Sequence, residues 1–214
     1  MRIIFAVLSE SDRHNRATSL MRTALALILL ATGYRIVAAW NPDLVNFTPL
    51  MALAFCGAVY FRNRWMWLIP FIALSASDVY LDHYHATHFG YTWDFGGVLV
   101  RTVCFVAALV LGWMVSQRKN WLNLLAGCVG GSLLFYFATN TASFLGDAFY
   151  AKTLVGWWQA MTVGHPEFPP TLFFFRNTLV GDLFFTGTFV FAMEWTALRA
   201  GQPSLLKNTA ARAA

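Results

Sequence analysis

The sequence predicts an all-α integral membrane protein, a bundle of six transmembrane helices with both termini cytoplasmic. Three observations predict it. Of the 214 residues, 58% are hydrophobic and only 12% are charged, against roughly 25% charged in soluble domains. Six apolar stretches can be marked off along the chain, most of them near the ~20 residues that cross a bilayer. The connectors between them alternate between basic and nearly base-free, as the positive-inside rule requires of a multi-pass protein. A soluble fold of this size exposes too much surface to hide 20 Phe and 9 Trp.

Residues 1–18 read as a cytoplasmic N-terminal tail. The apolar start Met1 to Leu8 is too short for a signal-peptide core, and the polar run Ser9 to Arg16 follows it in place of a small-residue cleavage site. A short interfacial anchor is the other reading of this tail. The transmembrane domain spans residues 19–198, and 199–214 form a cytoplasmic C-terminal tail.

Segment one runs from about Ser19 to Ala39, and segment two from Pro49 to Phe61. Segment two is too short to span, because thirteen residues of helix rise only about 20 Å. Arg62-Asn63-Arg64 makes a basic turn into segment three, Trp65 to Leu81. The connector Asp82 to Phe95 holds His83, His85, His88 and two aspartates, with no Lys or Arg. Segment four, Gly96 to Gln117, leads through Arg118-Lys119 to segment five, Trp121 to about Thr139. The long connector Asn140 to Pro170 carries Lys152 as its one base, and its Gly156-Trp157-Trp158 suits an interfacial helix. Segment six is Thr171 to Leu198.

The net charge of +5 is explained by the cytoplasmic connectors, and no nucleic-acid-binding motif accompanies it. Cys56, Cys104 and Cys128 all sit inside apolar segments without CxxC spacing. That argues against a disulfide framework or a zinc site. No GxSxG and no Walker A loop occurs. Uphill transport would therefore draw on an ion gradient or a partner.

Charges within membrane segments are costly and mark function, packing or interfaces. Here they are Arg35, Asp78, Arg101, Asp147, Arg176, Asp182 and Glu194. Asp78 ends segment three and Arg101 opens segment four on the same side, so an ion pair between them would join two helices. These charges read either as links between helices or as the floor of a ligand pocket, and Asn46, Asn140 and Asn177 fit both readings. His83, His85 and His88 lack the HExxH spacing. They read as a solvated loop or as ligands gathered around a metal, with Asp82 and Asp94 orienting them.

The blocks Asn46-Phe47-Thr48-Pro49-Leu50, Ser77-Asp78, Phe137-Ala138-Thr139-Asn140, Tyr150-Ala151-Lys152-Thr153-Leu154-Val155-Gly156 and Phe175-Arg176-Asn177-Thr178-Leu179-Val180-Gly181-Asp182 resemble a bacterial family of uncharacterised multi-pass membrane proteins. That family is in turn similar to the substrate-binding S-components of energy-coupling-factor (ECF) vitamin transporters. The resemblance implies the bacterial inner membrane, ligand capture from the outer face, and docking on ECF-type transmembrane and ATPase subunits. It implies a vitamin-like ligand, with cobalamin or a related cofactor precursor as the best single candidate. S-components carry an AxxxA docking pattern on the first helix, whereas here Ala54 and Ala58 place one in segment two. One cobalamin-transporting group uses a cysteine at the outer end of segment three, where this chain has Ser77 and Asp78.

The expected function is thus a non-enzymatic membrane protein that binds and takes up a small vitamin-like molecule. Its expected ligand residues are Asn46, Asp78, Tyr84, His85, Tyr91, Trp93, Asn140, Tyr150, Trp157 and Asn177. His83, His85 and His88 are the candidate metal ligands, and Ala54, Ala58, Arg62 and Arg64 the candidate docking residues. A membrane enzyme using a metal in the His/Asp loop, or an assembly protein without ligand, are the alternatives.

Overall fold

The computed structural model describes residues 2–41, 44, 46–61, 63–90, 95–204 and 206, with side chains from residue 17 onward except at Phe89. Among the described residues all regular structure is helical. The helices are α1 (Arg2–Ala38), α2 (Leu50–Tyr60), α3 (Leu68–Phe89), α4 (Phe95–Gln117), α5 (Trp121–Gly146), α6 (Leu154–Thr162) and α7 (Thr171–Arg199), with a 3-10 turn at Arg64–Trp67.

The short helix α2 is the axis of the bundle. Its residues Leu50 to Val59 are all buried, and it packs against α1, α3, α4, α5 and α7. A helix that is apolar all round belongs inside, and this one is enclosed by longer neighbours. The approach of α4 is closest at Gly112. A Cβ there would stand 2.3 Å from the Phe55 carbonyl oxygen and 2.8 Å from the Ala58 Cβ. Ala54 and Ala58 are each 1% exposed. Their small faces are therefore spent on packing inside the chain, which corrects the expectation that they dock a partner.

Several boundaries differ from the sequence reading. The expected N-terminal tail is the first half of α1, which runs unbroken from Arg2. Segment three continues eight residues past its expected end at Leu81, so the histidines expected in a loop ride on the last turns of α3. Polar side chains lowered the hydropathy there without breaking the helix. Its stop is Gly90, in the left-handed conformation (φ 66°), whose N–H donates to the His85 carbonyl. Segment five likewise extends to Gly146. The helix expected around Gly156-Trp157-Trp158 is α6, capped by the Thr153 hydroxyl, which accepts from the Gly156 N–H.

Among the described residues three helices are long and apolar enough to cross a membrane: Ala17–Ala38 of α1, α4 and α5. The expectation was six. Helix α2 is too short, and α3 and α7 carry charges that lower their mean hydropathy. Large apolar side chains such as Leu29, Val79, Val103, Leu122 and Phe191 stand more than half exposed on the outer faces of the long helices. Such a surface suits lipid and not water.

The basic turns meet at one end of the bundle. Lys119 stands 5.2 Å from the Tyr60 ring and the Arg64 guanidinium 5.8 Å from the Trp113 ring. Burial lowers the Lys119 ammonium from its usual range, against an opposing pull from Glu194.

The close approach at Gly112 gives a test. Gly112→Ala should cost on the order of 1–3 kcal/mol, because a backbone carbonyl cannot step aside. Gly130→Ala, where an added Cβ meets nothing within 4 Å, should leave the thermal midpoint of the lipid-embedded protein unchanged or higher.

Candidate functional site

At the end of the bundle opposite the basic turns lies a cavity of about 500 Å³. It exists because α2 is short. Eleven residues of helix rise about 16 Å, roughly half of a bilayer core. Asn41 and residues 46–49, ahead of α2, are outside any helix. Asn41, Leu44, Asn46 and Thr48 of this connector line the cavity. Asn46 holds a positive φ of 62°, a conformation asparagine tolerates better than most residues. The walls come from Arg35 at the end of α1, Asp78, Asp82 and His85 of α3, Arg101 of α4, Phe135 of α5 and Thr178 of α7.

Asp78, Asp82 and His85 are spaced i, i+4 and i+7, one face of a helix. Helix α3 therefore presents two carboxyls and an imidazole to the cavity together. Arginines from two other helices answer them. Arg35 pairs with Asp78 and also donates to Ser77 Oγ (2.5 Å) and the Leu74 carbonyl (3.3 Å). Arg101 Nη2 donates to Asp82 Oδ2 at 2.7 Å, and its Nε stands 3.4 Å from Asp78 Oδ2. The ion pair expected between Asp78 and Arg101 is present, as one link of a four-residue network. Two arginines and two aspartates make the network neutral, which offsets much of the cost of removing each charge from water. The Arg35 and Asp78 side chains are 7% and 15% exposed, those of Arg101 and Asp82 24% and 21%. The second pair is thus the one better able to meet a ligand.

Of the expected ligand residues, the structure brings Asn46, Asp78 and His85 to this cavity. Others are engaged elsewhere. Asn140 donates to the Tyr136 carbonyl of its own helix at 2.8 Å. Trp157 Nε1 donates to Thr141 Oγ1 at 3.1 Å. Tyr150 is buried against Phe144 and Phe149. Burial, helped by Asp147, pushes its hydroxyl above the usual tyrosine range. Asn177 accepts from Arg176, with Nη2 at 3.2 Å. Tyr84 stacks on His88 at 4.2 Å between ring centroids. Tyr91, Trp93, Arg62 and Asp94 lie outside the described residues.

The three histidines do not converge. On a helix, His83 and His85 point to nearly opposite sides. His83 and His88 are exposed, and His88 Nδ1 lies 2.9 Å from both the Tyr84 carbonyl and the Thr87 hydroxyl. Among the described residues no three His, Cys, Asp or Glu side chains gather to hold a metal. This corrects the candidate metal site.

Residues 15–205 match a family of unknown function, DUF6580. The chain belongs to that family. No curated protein and no solved structure matches it, and nothing in these comparisons links it to ECF S-components.

The network ranks its members. Asp78→Asn leaves Arg35 without a counter-charge, while Asp82→Asn leaves Arg101 close to Asp78. Asp78→Asn should therefore cost about 3–5 kcal/mol of stability and Asp82→Asn clearly less. Pairing Asp78→Asn with Arg35→Met should recover much of the loss. Thermal unfolding of the three variants in one lipid environment checks the order.

Proposed function

We propose that this chain is a multi-pass inner-membrane protein that captures a small polar molecule from the outer face, as the first step of its uptake. The cavity carries this reading. Non-helical backbone at membrane depth is tolerated where it lines a cavity, and Asn41, Asn46 and Thr48 fit that description. At about 500 Å³ the cavity lies inside the range of small-molecule sites, roughly 300–1,000 Å³.

In this reading α3 and α7 cross the membrane as well. The charges in the middle of α7 turn inward, with Asp182 1% and Glu194 9% exposed, while the exposed Arg176 and Arg199 lie toward its two ends. Helix α2 spans only the inner half, and the cavity occupies the outer half above it. The basic turns face the cytoplasm by the positive-inside rule, which sets the cavity on the outer side.

The lining favours one ligand class. Arg101 and Asp82 offer a donor fork and an acceptor side by side, while Leu44, Leu50, Leu81, Phe135 and Phe168 supply apolar wall. That suits a compact neutral or zwitterionic molecule with an apolar part. A cobalamin, with its corrin ring and nucleotide loop, exceeds such a volume, so the best single candidate of the resemblance gives way to smaller vitamin-like compounds. Docking on ECF-type subunits loses its proposed small-residue site, because Ala54 and Ala58 are interior.

Native mass spectrometry of gently extracted protein tests the reading. A co-purified molecule of a few hundred daltons should appear. Arg101→Ala and Asp82→Ala should each weaken its retention by about tenfold or more, in line with the loss of a charge-assisted hydrogen bond. A ligand-free spectrum, together with no thermal shift across a panel of small zwitterions and vitamins, contradicts it.

A further inference from the structure

One buried acid has no part in the cavity network. Asp182 of α7 is 1% exposed, and among the described residues no lysine, arginine or histidine pairs with it. Its Oδ1 accepts from the Ala52 N–H of α2 at 3.2 Å, and its Oδ2 faces Ser132 Oγ of α5 at 2.7 Å. Ser132 has a second acceptor within reach, the Cys128 carbonyl at 3.2 Å. A hydroxyl carries one proton and cannot donate to both.

That surplus acceptor lets the site satisfy two states. With Asp182 ionised, Ser132 donates to Oδ2. With Asp182 protonated, the acid donates to Ser132 Oγ and the Ser132 hydroxyl turns to the Cys128 carbonyl. The Ala52 N–H keeps its acceptor in both. Asp182, the Ser132 hydroxyl and the Ala52 N–H thus keep partners in either state, which is the condition for a buried group to exchange a proton without a large penalty. The gap beside Asp182, walled by Met51, Phe55, Cys128 and Thr186, has no room for a water molecule.

We propose that Asp182 and Ser132 form a reversible proton-binding site in the centre of the bundle, directly beneath the cavity floor. Thr178 lines the cavity one turn above Asp182 on the same helix, a rise of about 6 Å. Thr48, also in the lining, has its backbone against the neighbouring Gly181. A proton entering from cavity water adds to Oδ2, the Ser132 hydroxyl rotates, and release reverses both changes. The other titratable groups facing the site are the Cys56 thiol of α2 and the Cys128 thiol of α5. Helix α4 presents Ala108, α1 presents Tyr34 against Phe185, and α6 has no titratable side chain. Such a site would let a proton gradient energise movement of whatever the cavity holds, but its existence does not depend on the ligand reading.

Infrared difference spectroscopy of the full chain in lipid bilayers, titrated between about pH 5 and pH 9, decides it. The wild-type protein should show a protonated-carboxyl band that is lost as pH rises. Asp182→Asn should abolish that band while keeping the fold, because its amide can accept from Ala52 and donate to Ser132. Asp78→Asn should leave the band in place. Superimposable spectra for wild type and Asp182→Asn would overturn the proposal and leave Asp182 as a fixed helix cap. If Asp182→Asn does not fold, Ser132→Ala decides. It retains the acid and removes the rotating hydroxyl, so the band must change frequency and its midpoint must move by about tenfold in proton concentration. An unchanged band in Ser132→Ala overturns the proposal equally.

Discussion

The bundle depends on how the first turn of α2 is held. The start of any helix leaves backbone N–H groups without partners inside the helix. Pro49 precedes α2 and provides no side-chain cap. Deep among apolar neighbours, those amides need an acceptor from elsewhere. Asp182 supplies one from α7, and Ser132 holds Asp182 from α5. One carboxyl thus fixes three helices at a common level. It lets α2 begin halfway through the bundle instead of at its surface.

The open space above α2 follows from that arrangement. A full-length second helix would fill that end of the bundle with apolar side chains. A half-length one leaves that volume to be closed by the connector below and by α1, α3, α4, α5 and α7 around it. The charges that line it sit in pairs, since a lone charge at this depth would be costly. The same chain therefore holds two polar centres of different kinds. The upper one is a neutral network of arginines and aspartates, partly open. The lower one is a single carboxyl without a counter-ion among the described residues, closed to water.

Much of this architecture was legible in the sequence. Segments four and six were placed to within a residue or so of α4 and α7, because apolar runs bounded by basic turns leave little freedom. The shortness of segment two, flanked by Pro42 and Pro49, already pointed to a helix that could not span. The Asp78–Arg101 pair followed from their positions at adjoining segment ends. The end of α3 differs from the sequence reading because polarity is not by itself a sign of chain reversal. Asp82 to Phe89 was assigned to a loop, yet backbone hydrogen bonding favours continuing the helix until Gly90 permits a left-handed stop. Once the helix is extended, Asp78, Asp82 and His85 fall on one face, and the cavity wall becomes readable. Ala54 and Ala58 could not be assigned to the interior from spacing alone, since small residues four apart serve internal and external contacts alike. Arg35 gave no sign of its partners, which are some forty positions away along the chain.

In the proposed function the half-length helix opens a cavity toward the base-poor face of the membrane. Cysteine accessibility tests it most directly. Cys56, Cys104 and Cys128 are all buried, so the native background should be low. Thr48→Cys and Asn41→Cys should react with a membrane-impermeant thiol reagent added to the outer side of intact cells, while Arg64→Cys and Arg118→Cys should react only after the membrane is opened. Labelling of Thr48→Cys only from the inner side, or from neither side, would contradict the account.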